Sequence, residues 1–411
     1  MKTFIMISWR NMWRQKRRSM VVISSIGIGI FVMILSMGIM NGMNLQMLDN
    51  TINTSIGQIA IHQKGYQDTT KIKYNFVPTQ KIYDAIKTTP GAINWAPHVK
   101  VQGMIRSAEA SRRVLVFGID PEKEKKISKI YDYTLKEDGS EFLKSTDSNT
   151  VLISKVVAKK LNLEVGDRLP VMVMGVDNEM KDSGLTITGL FETPMGSFDK
   201  YTIFVGIKKL QEMTGLKNAI SEITIGVKDK WQATAIRNKI AQKINDKNLE
   251  YLSWQMMAPA LVSASKLIDA SMAIFFGIVF ITVIFSIANT LVMAIMERFH
   301  EIGVMKSIGT KPRQVFFMIL FEAINLGAVG LFIGSIAGGL LVLIFGQVGI
   351  SFAAFSDGMR TFGTGSVIYT IIRAQDIVMA IVIVLITTVI AALYPATKAA
   401  RIKPLEALNH I

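Results

Sequence analysis

Cysteine is absent from the 411 residues. That excludes disulfides, a thiol nucleophile, thiolate metal sites and a lipidated N-terminal cysteine. Histidine is scarce: His62, His98, His300 and His410 are scattered without metal-ligand spacing, and each reads as a structural or solvated residue. No Gly-x-x-x-x-Gly-Lys-Ser/Thr occurs, so the chain has no phosphate-cradling loop of its own. The string "GIGI" at 27–30 lies in an apolar run and reads as a packing feature. Formal charge is missing from four stretches: 30 residues over 19–48, 27 over 270–296, 34 over 323–356 and 21 over 377–397. A helix needs ~20 mostly apolar residues to cross the hydrocarbon core of a bilayer. Buried helices of soluble proteins rarely run so long without charge. The sequence therefore predicts four transmembrane helices, over 19–48, 270–296, 315–344 and 377–397. The first run is longer than the ~7–15 residues of a signal-peptide core, and no small-x-small cleavage site follows it. An uncleaved anchor is expected.

Basic residues are present in number, and their placement gives an orientation. Residues 1–18 hold six Lys or Arg and no acid; the strip 296–315 holds four against two; the tail 398–411 holds three against one. Most of the net charge of +15 lies in these segments, which makes it poor evidence for nucleic-acid binding. Both termini and the strip are expected on the cytoplasmic side, with 49–268 and the loop 345–376 outside. Within 1–18, Ile5, Trp9 and Met12 share one helical face and Arg10, Arg14 and Arg17 another. That pattern suits an amphipathic helix in the headgroup layer.

The outward segment 49–268 predicts an α+β domain. Alternating runs suggest strands at 57–63, 99–107, 112–119, 169–174, 185–191, 201–207 and 222–227. Helical patterns lie at 78–88, 154–163 and 230–247. Two lobes are expected, 49–110 with 205–268 forming one and 111–204 inserted as the other. The "PEKEKKISK" run at 121–129 reads as a solvated helix face.

The strip "MERFHEIGVMKSIGTKPRQV" joins two apolar runs. Glu297, Arg298 and Glu301 occupy about one turn, Ile302, Val304 and Met305 are apolar, Gly309 permits a reversal, and Pro312 opens the next helix. The segment 297–314 is either a handle for a soluble partner or an ordinary solvated loop. Met33, Met37, Met40 and Met47 lie on one helical face, with Met43 beside them and Asn41 and Asn44 near the outer end. Methionine repacks around irregular apolar ligands, so the stripe reads as a cargo path for acyl chains, or as helix-packing surface. Gly330, Gly334 and Gly338 repeat every four residues and allow close helix approach, within the chain or to a second copy. Glu322, with Asn325, reads as a packing or coupling residue.

This layout resembles the FtsX-like, or MacB-type, permeases of ABC transporters. "ERFHEIGVMKSIGTKPRQV" is similar to that family's coupling segment, and "YPATKAARIKPLEALNHI" at 394–411 to its C-terminal tail. Within the family, "LSMGIMNGM" (35–43), "VFGIDPEKE" (116–124) and "VLISKVVAKKLNLEVGDRLPVMVM" (151–174) resemble the lipoprotein-releasing branch. In that branch a long hairpin after the "GDxxxVM" strand helps recruit a periplasmic carrier; here only "GVDNEMKDSG" at 175–184 is available.

The resemblance implies an α-helical membrane protein with four transmembrane helices and a large extracytoplasmic α+β domain, MacB-like and two-lobed, between helices 1 and 2. It implies a multi-pass protein of the bacterial inner membrane with cytoplasmic termini. The chain would be a permease subunit without enzymatic activity. ATP and Mg would be bound by a separate ABC ATPase, in two copies, with a second permease subunit, identical or related. Membrane lipids, a periplasmic carrier or an adaptor would be further partners. The residues implied in ATPase coupling are Glu297, Arg298, Glu301, Ile302, Gly303, Met305, Lys306, Gly309 and Arg313, with Pro404 and Glu406 in the tail, where the helix dipole favours an acid in the first turn. Release of a lipid-anchored or amphipathic cargo is the expected function. The alternatives are MacB-type export of peptides or drugs, and FtsX-like signalling to a cell-wall hydrolase without transport.

Overall fold

The computed structural model describes residues 9–403 other than 11, 15, 70, 137 and 138. In chain order its principal elements are α1 (Lys16–Thr51), β1 (Ile59–Gln63), α2 (Gln80–Lys87), β2 (Ala92–Arg106), β3 (Ser111–Ile119), β4 (Thr150–Ser154), α3 (Lys155–Leu161), β5 (Arg168–Met174), β6 (Met180–Phe191), β7 (Thr202–Gly206), α4 (Ile207–Thr214), β8 (Glu222–Val227), α5 (Ala233–Ile244), β9 (Leu249–Ser253), α6 (Pro259–Glu297), α7 (Phe299–Ser307), α8 (Pro312–Val348), α9 (Ser356–Thr361) and α10 (Ala374–Ala400). Two compact units result. One comprises Met1–Asn44, Ser265–Ser351 and Ile368–Ile411; the other comprises Leu45–Ala264 and Phe352–Val367.

The first unit contains the helices long and apolar enough to cross a membrane, four among the described residues. The shortest, α10, has 27 residues. At 1.5 Å per residue it reaches about 40 Å, beyond the ~30 Å hydrocarbon core. Three of the helices outrun their charge-free stretches at both ends and α8 stops short of residue 356, because charge marks where the bilayer ends, whereas proline and glycine mark where helices end. Pro259 and Pro312 stand at the first positions of α6 and α8, and Gly349 follows α8 with φ of 79°. Ile274, Ile278 and Phe285 on α6 are exposed, an arrangement that suits lipid.

Ile26, Ile30 and Ile34 of α1 pack with Ile287, Leu291, Leu326 and Val384 into the core of the helical unit. The glycine repeat of α8 faces α1. A Cβ on Gly334 would lie 2.5 Å from the Gly27 carbonyl oxygen, and one on Gly330 would lie 2.8 Å from Ile26. Packing within the chain therefore occupies Gly330, Gly334 and Gly338, and Gly27 of "GIGI" is its counterpart.

In the second unit nine strands pair in the order β3-β7-β4-β6-β5-β2-β8-β1-β9, and β3 also pairs with β2. The six strands from β3 to β2 thus close into a ring. Alternate residues such as Val101, Ile105, Val114, Val116, Val171 and Ile187 are buried in the core, as the two-residue strand period requires. Phe117, Phe191, Phe198 and Phe204 form a second cluster.

The two expected lobes share one long strand. β2 pairs with β8 from Ala92 to His98 and with β3 from Val99 to Arg106. Pro97 falls in the half with β8 as partner, where a missing N–H is tolerated on the unpaired side. β7, at 202–206, belongs to the ring and moves the expected boundary by a few residues. β4 and β9 were not expected: "TVLIS" runs straight into helix α3, and its unbroken apolar run shows no alternation. The β5–β6 hairpin is short, with Met174 opposite Met180.

The loop 345–376 is not a bare connection, because its middle belongs to the α+β unit. Arg360 of α9 donates to Glu192 and, at 2.6 Å, to Asp199. Asn50 Nδ2 donates to the Gly363 carbonyl at 3.0 Å. Asp199 is fully buried. Burial raises its carboxyl to about 6 against the Thr193 and Arg360 donors that lower it.

Candidate functional site

α6 ends at Glu297, and after Arg298 the chain re-enters a nine-residue helix, α7. Gly309 follows with φ of 102°, a conformation glycine adopts without strain. Pro312 then opens α8, and the Lys311 N–H donates to Gln314 Oε1 at 2.8 Å, capping it. Local sequence therefore accounts for helix, reversal and helix.

Tertiary packing decides which strip residues remain available to a partner, and it reverses several expectations. Ile302 is buried among Ile295, Val315, Ile319, Ala396 and Ala399, with Met305 packed against the same cluster. These residues anchor α7 to its own protein and are not free to fill a partner's cleft. Gly303 is buried as well. Arg298 reaches Glu322 at 3.2 Å, and Glu301 accepts from Arg14 Nη2 at 2.6 Å, so both charges are engaged within the chain. Lys306 Nζ donates to the carbonyls of Ala400, at 2.9 Å, and Ile402. That satisfies acceptors left over at the end of α10. Glu297, Gly309 and Arg313 are exposed. Pro404 and Glu406 lie outside the described residues. Exposed on α7 are His300, Glu301, Val304 (39%) and Ser307, and Ile308, the residue that follows it, is 80% exposed.

The methionine stripe is largely packing surface. Met33 and Met37 are buried with Phe276 and Ala380, so they do not line an open groove. Met40 and Met43 are half-buried, and Met47 is buried. Asn41 Nδ2 donates to Asp376 Oδ2 at 2.7 Å, and Asn44 Nδ2 to Ser265 Oγ at 2.9 Å. These amides tie α1 to α10 and α6. Asp376 also accepts from the Arg373 N–H at 3.0 Å, starting α10. Met12, expected on a lipid-facing side, is fully buried in the helical core, whereas Trp9 is exposed.

Sequence reasoning missed Arg14 as partner of Glu301, Asp376 as partner of Asn41, and an ionic cluster in the α+β unit. The cluster sits where β2 changes partners. His98 Nε2 lies 2.7 Å from Glu124, and its Nδ1 lies 3.3 Å from Glu222. Lys100 Nζ lies 2.5 Å from Glu222. Burial alone would lower His98, but Glu124 and Glu222 raise it to about 9. Burial opposes ionisation of Glu222, yet Lys100 and His98 hold it well below the usual carboxylate range. Glu124 is lowered too, with His98 overcoming the effect of burial. Two cations and two carboxylates thus neutralise each other out of water. Glu124 belongs to the 121–129 run expected to be solvated; the signal for its burial was its neighbour Pro121, itself buried at the start of the short turn of helix Pro121–Glu124. Among the described residues no group of three or more His, Cys, Asp and Glu could hold a metal ion.

Two family models match the chain. The MacB-like periplasmic core domain covers residues 19–243, and the FtsX-like permease C-terminal region covers 273–404. The lipoprotein-releasing system transmembrane protein LolC of Xylella fastidiosa is 24% identical over 419 residues, covering 97% of this chain and 96% of the relative. The corresponding LolE of Haemophilus influenzae is 21% identical over 433 residues, covering 100% of both. Among solved structures, the periplasmic region of MacB from Actinobacillus actinomycetemcomitans matches 55% of this chain and 97% of its own, with 10% identity and a TM-score of 0.35.

Proposed function

Because this chain belongs to the ABC transporter permeases that join a MacB-like periplasmic core domain to an FtsX-like C-terminal region, we propose that α7 is where a separate ATPase grips it. One observation carries this reading. α7 joins two spanning helices, is fixed on its inner side by Ile302, Met305 and Lys306, and leaves Val304 exposed, with Ile308 exposed just beyond its end. A rigid element that is firmly held within and keeps large apolar side chains exposed can transmit displacement. A solvated loop would fold its apolar residues inward and leave nothing to grip.

In this reading the termini and α7 face the cytoplasm of a bacterial inner membrane. Two ATPases supply ATP hydrolysis with Mg, a second permease, identical or related, completes the complex, and this chain hydrolyses nothing. The tail with Pro404 and Glu406 supports the docking surface. The cargo is lipid-anchored or amphipathic and meets α1 at Met40 and Met43. The full-length likeness to proteins named for lipoprotein release supports that cargo. The short β5–β6 hairpin favours the second reading, MacB-type export, since it leaves little with which to recruit a carrier.

The test uses the absence of cysteine. Ile308→Cys or Val304→Cys provides a unique thiol in the chain, to be cross-linked to the co-expressed ATPase in membranes. A cross-link from Ile308→Cys that forms with the ATPase and traps hydrolysis is expected. If thiols at both positions are modified freely by a soluble reagent while the complex turns over, α7 is not the grip.

A further inference from the structure

Beside the first helix lies a cleft of about 680 Å³, bordered by the start of α1 and the last third of α6. Its volume falls within the ~300–1,000 Å³ usual for small-ligand sites. Arg14, Lys16 and Arg17 line it, against the single carboxylate of Glu297. Arg14 is shared with Glu301. Lys16 and Arg17 are exposed and have no ion-pair partner among the described residues. Below the cations the walls turn apolar: Val21 is 60% exposed and Met293 is 63% exposed. Asn289 and Thr290, about one turn farther from Glu297 along α6 than Met293, complete the lining. Trp9 and Trp13, both exposed, stand edge to face at 6.2 Å in the helical stretch before α1, and such rings settle at the bilayer interface.

We propose that this cleft is a binding site for an anionic phospholipid, with the phosphodiester headgroup held by Lys16 and Arg17 and an acyl chain along Val21 and Met293. Net positive charge over an apolar wall, at the mouth of two spanning helices, matches the two ends of such a molecule. Basic pockets between spanning helices attract anionic headgroups in this way. A phosphate alone would use the cations and leave the apolar wall wet. The site does not depend on the coupling reading, only on α1 and α6 crossing the bilayer.

The experiment places the full chain in nanodiscs of equal phosphatidylglycerol and phosphatidylcholine, then measures by native mass spectrometry which lipid survives detergent washing. Wild-type chain should retain phosphatidylglycerol preferentially. The exposed pair Lys16→Gln/Arg17→Gln should lower that preference roughly tenfold. Lys16→Arg/Arg17→Lys should keep it, showing that loss follows charge and not misfolding. No preference in the wild type, or the same preference in the glutamine pair, overturns the proposal. Displacement by millimolar inorganic phosphate, but not by chloride at equal ionic strength, overturns it in favour of a free-anion site.

Discussion

The guanidinium of Arg298 lies 3.2 Å from the carboxylate of Glu322, joining the residue after α6 to the interior of α8. Their side chains are 12% and 11% exposed. Breaking a buried pair by removing one partner costs ~3–5 kcal/mol, whereas replacing both with apolar residues is often neutral. Arg298→Met or Glu322→Leu alone should therefore lower stability by about 3 kcal/mol, and Arg298→Met/Glu322→Leu together should recover most of it. Thermal unfolding in detergent, run as a double-mutant cycle, measures this. A loss in the double variant equal to the sum of the two single losses would show that the pair contributes no coupling.

Ile308 and Ile302 sit six residues apart on the same strip, and their burial predicts opposite phenotypes. Ile308→Asp should leave the chain as stable as wild type while weakening ATPase binding at least tenfold, the scale of one lost apolar contact. Ile302→Asp should instead destabilise the chain, since its carboxylate would be buried without a partner. Co-purification of the ATPase and thermal stability, measured on the same preparations, separate the two.

The ionic cluster around His98 makes stability depend on pH in two windows. His98 is raised from 6.5 to about 9, so its contribution is complete below about 6.5 and is lost as pH rises through 9. Glu222 and Glu124 are lowered from 4.5; their contribution is present above that value and is lost as pH falls below it. His98→Gln should flatten the alkaline limb between pH 6.5 and 9 and lower stability at pH 7 by ~2–4 kcal/mol, as expected when buried carboxylates lose their cation. Denaturation midpoints across pH, wild type beside variant, supply the check. An unchanged alkaline limb would mean that His98 is neutral in the folded state.

Gly334 and Gly339 are near neighbours on α8 with different surroundings. A Cβ on Gly334 would lie 2.5 Å from the Gly27 oxygen, whereas one on Gly339 would meet nothing within 4 Å. Gly334→Ala should force α1 and α8 apart at a cost of about 1–3 kcal/mol. Gly339→Ala should be neutral or stabilising, because alanine is the better helix former. Melting temperatures of the two variants decide whether this crossing is as tight as the packing indicates.

Arg360 holds the middle of a connecting loop against Glu192 and Asp199. Arg360→Ala should release residues 352–367 and leave Asp199 buried without its cation. Limited proteolysis should then cut this segment at least tenfold faster than in the wild type. Equal cutting rates would show that Asn50 and the surrounding packing suffice to hold it.

Charge-free length, proline and glycine placement, and two-residue alternation are local properties, and they determined the four apolar helices, the α7–Gly309–Pro312 reversal and seven of the nine strands. They also carried the likeness to the permease family, because motifs such as "EIGVMKSIG" are contiguous. Which side chains of those motifs are available to a partner was decided only by tertiary structure. Ile302 and Ile308 are alike in sequence, but neighbours from α8 and α10 cover the first and leave the second open. Arg298 and Glu301 look like docking charges until Glu322 and Arg14 approach from distant positions. Met33 and Met37 look like a groove until Phe276 and Ala380 fill it. Glu124 lies in a run of lysines that reads as solvated, yet strand pairing brings His98 above it. In each case the deciding neighbour is remote in the chain, so no local pattern could identify it, and burial, which sets both the energy and the accessibility of a charge, is a property of the assembled fold.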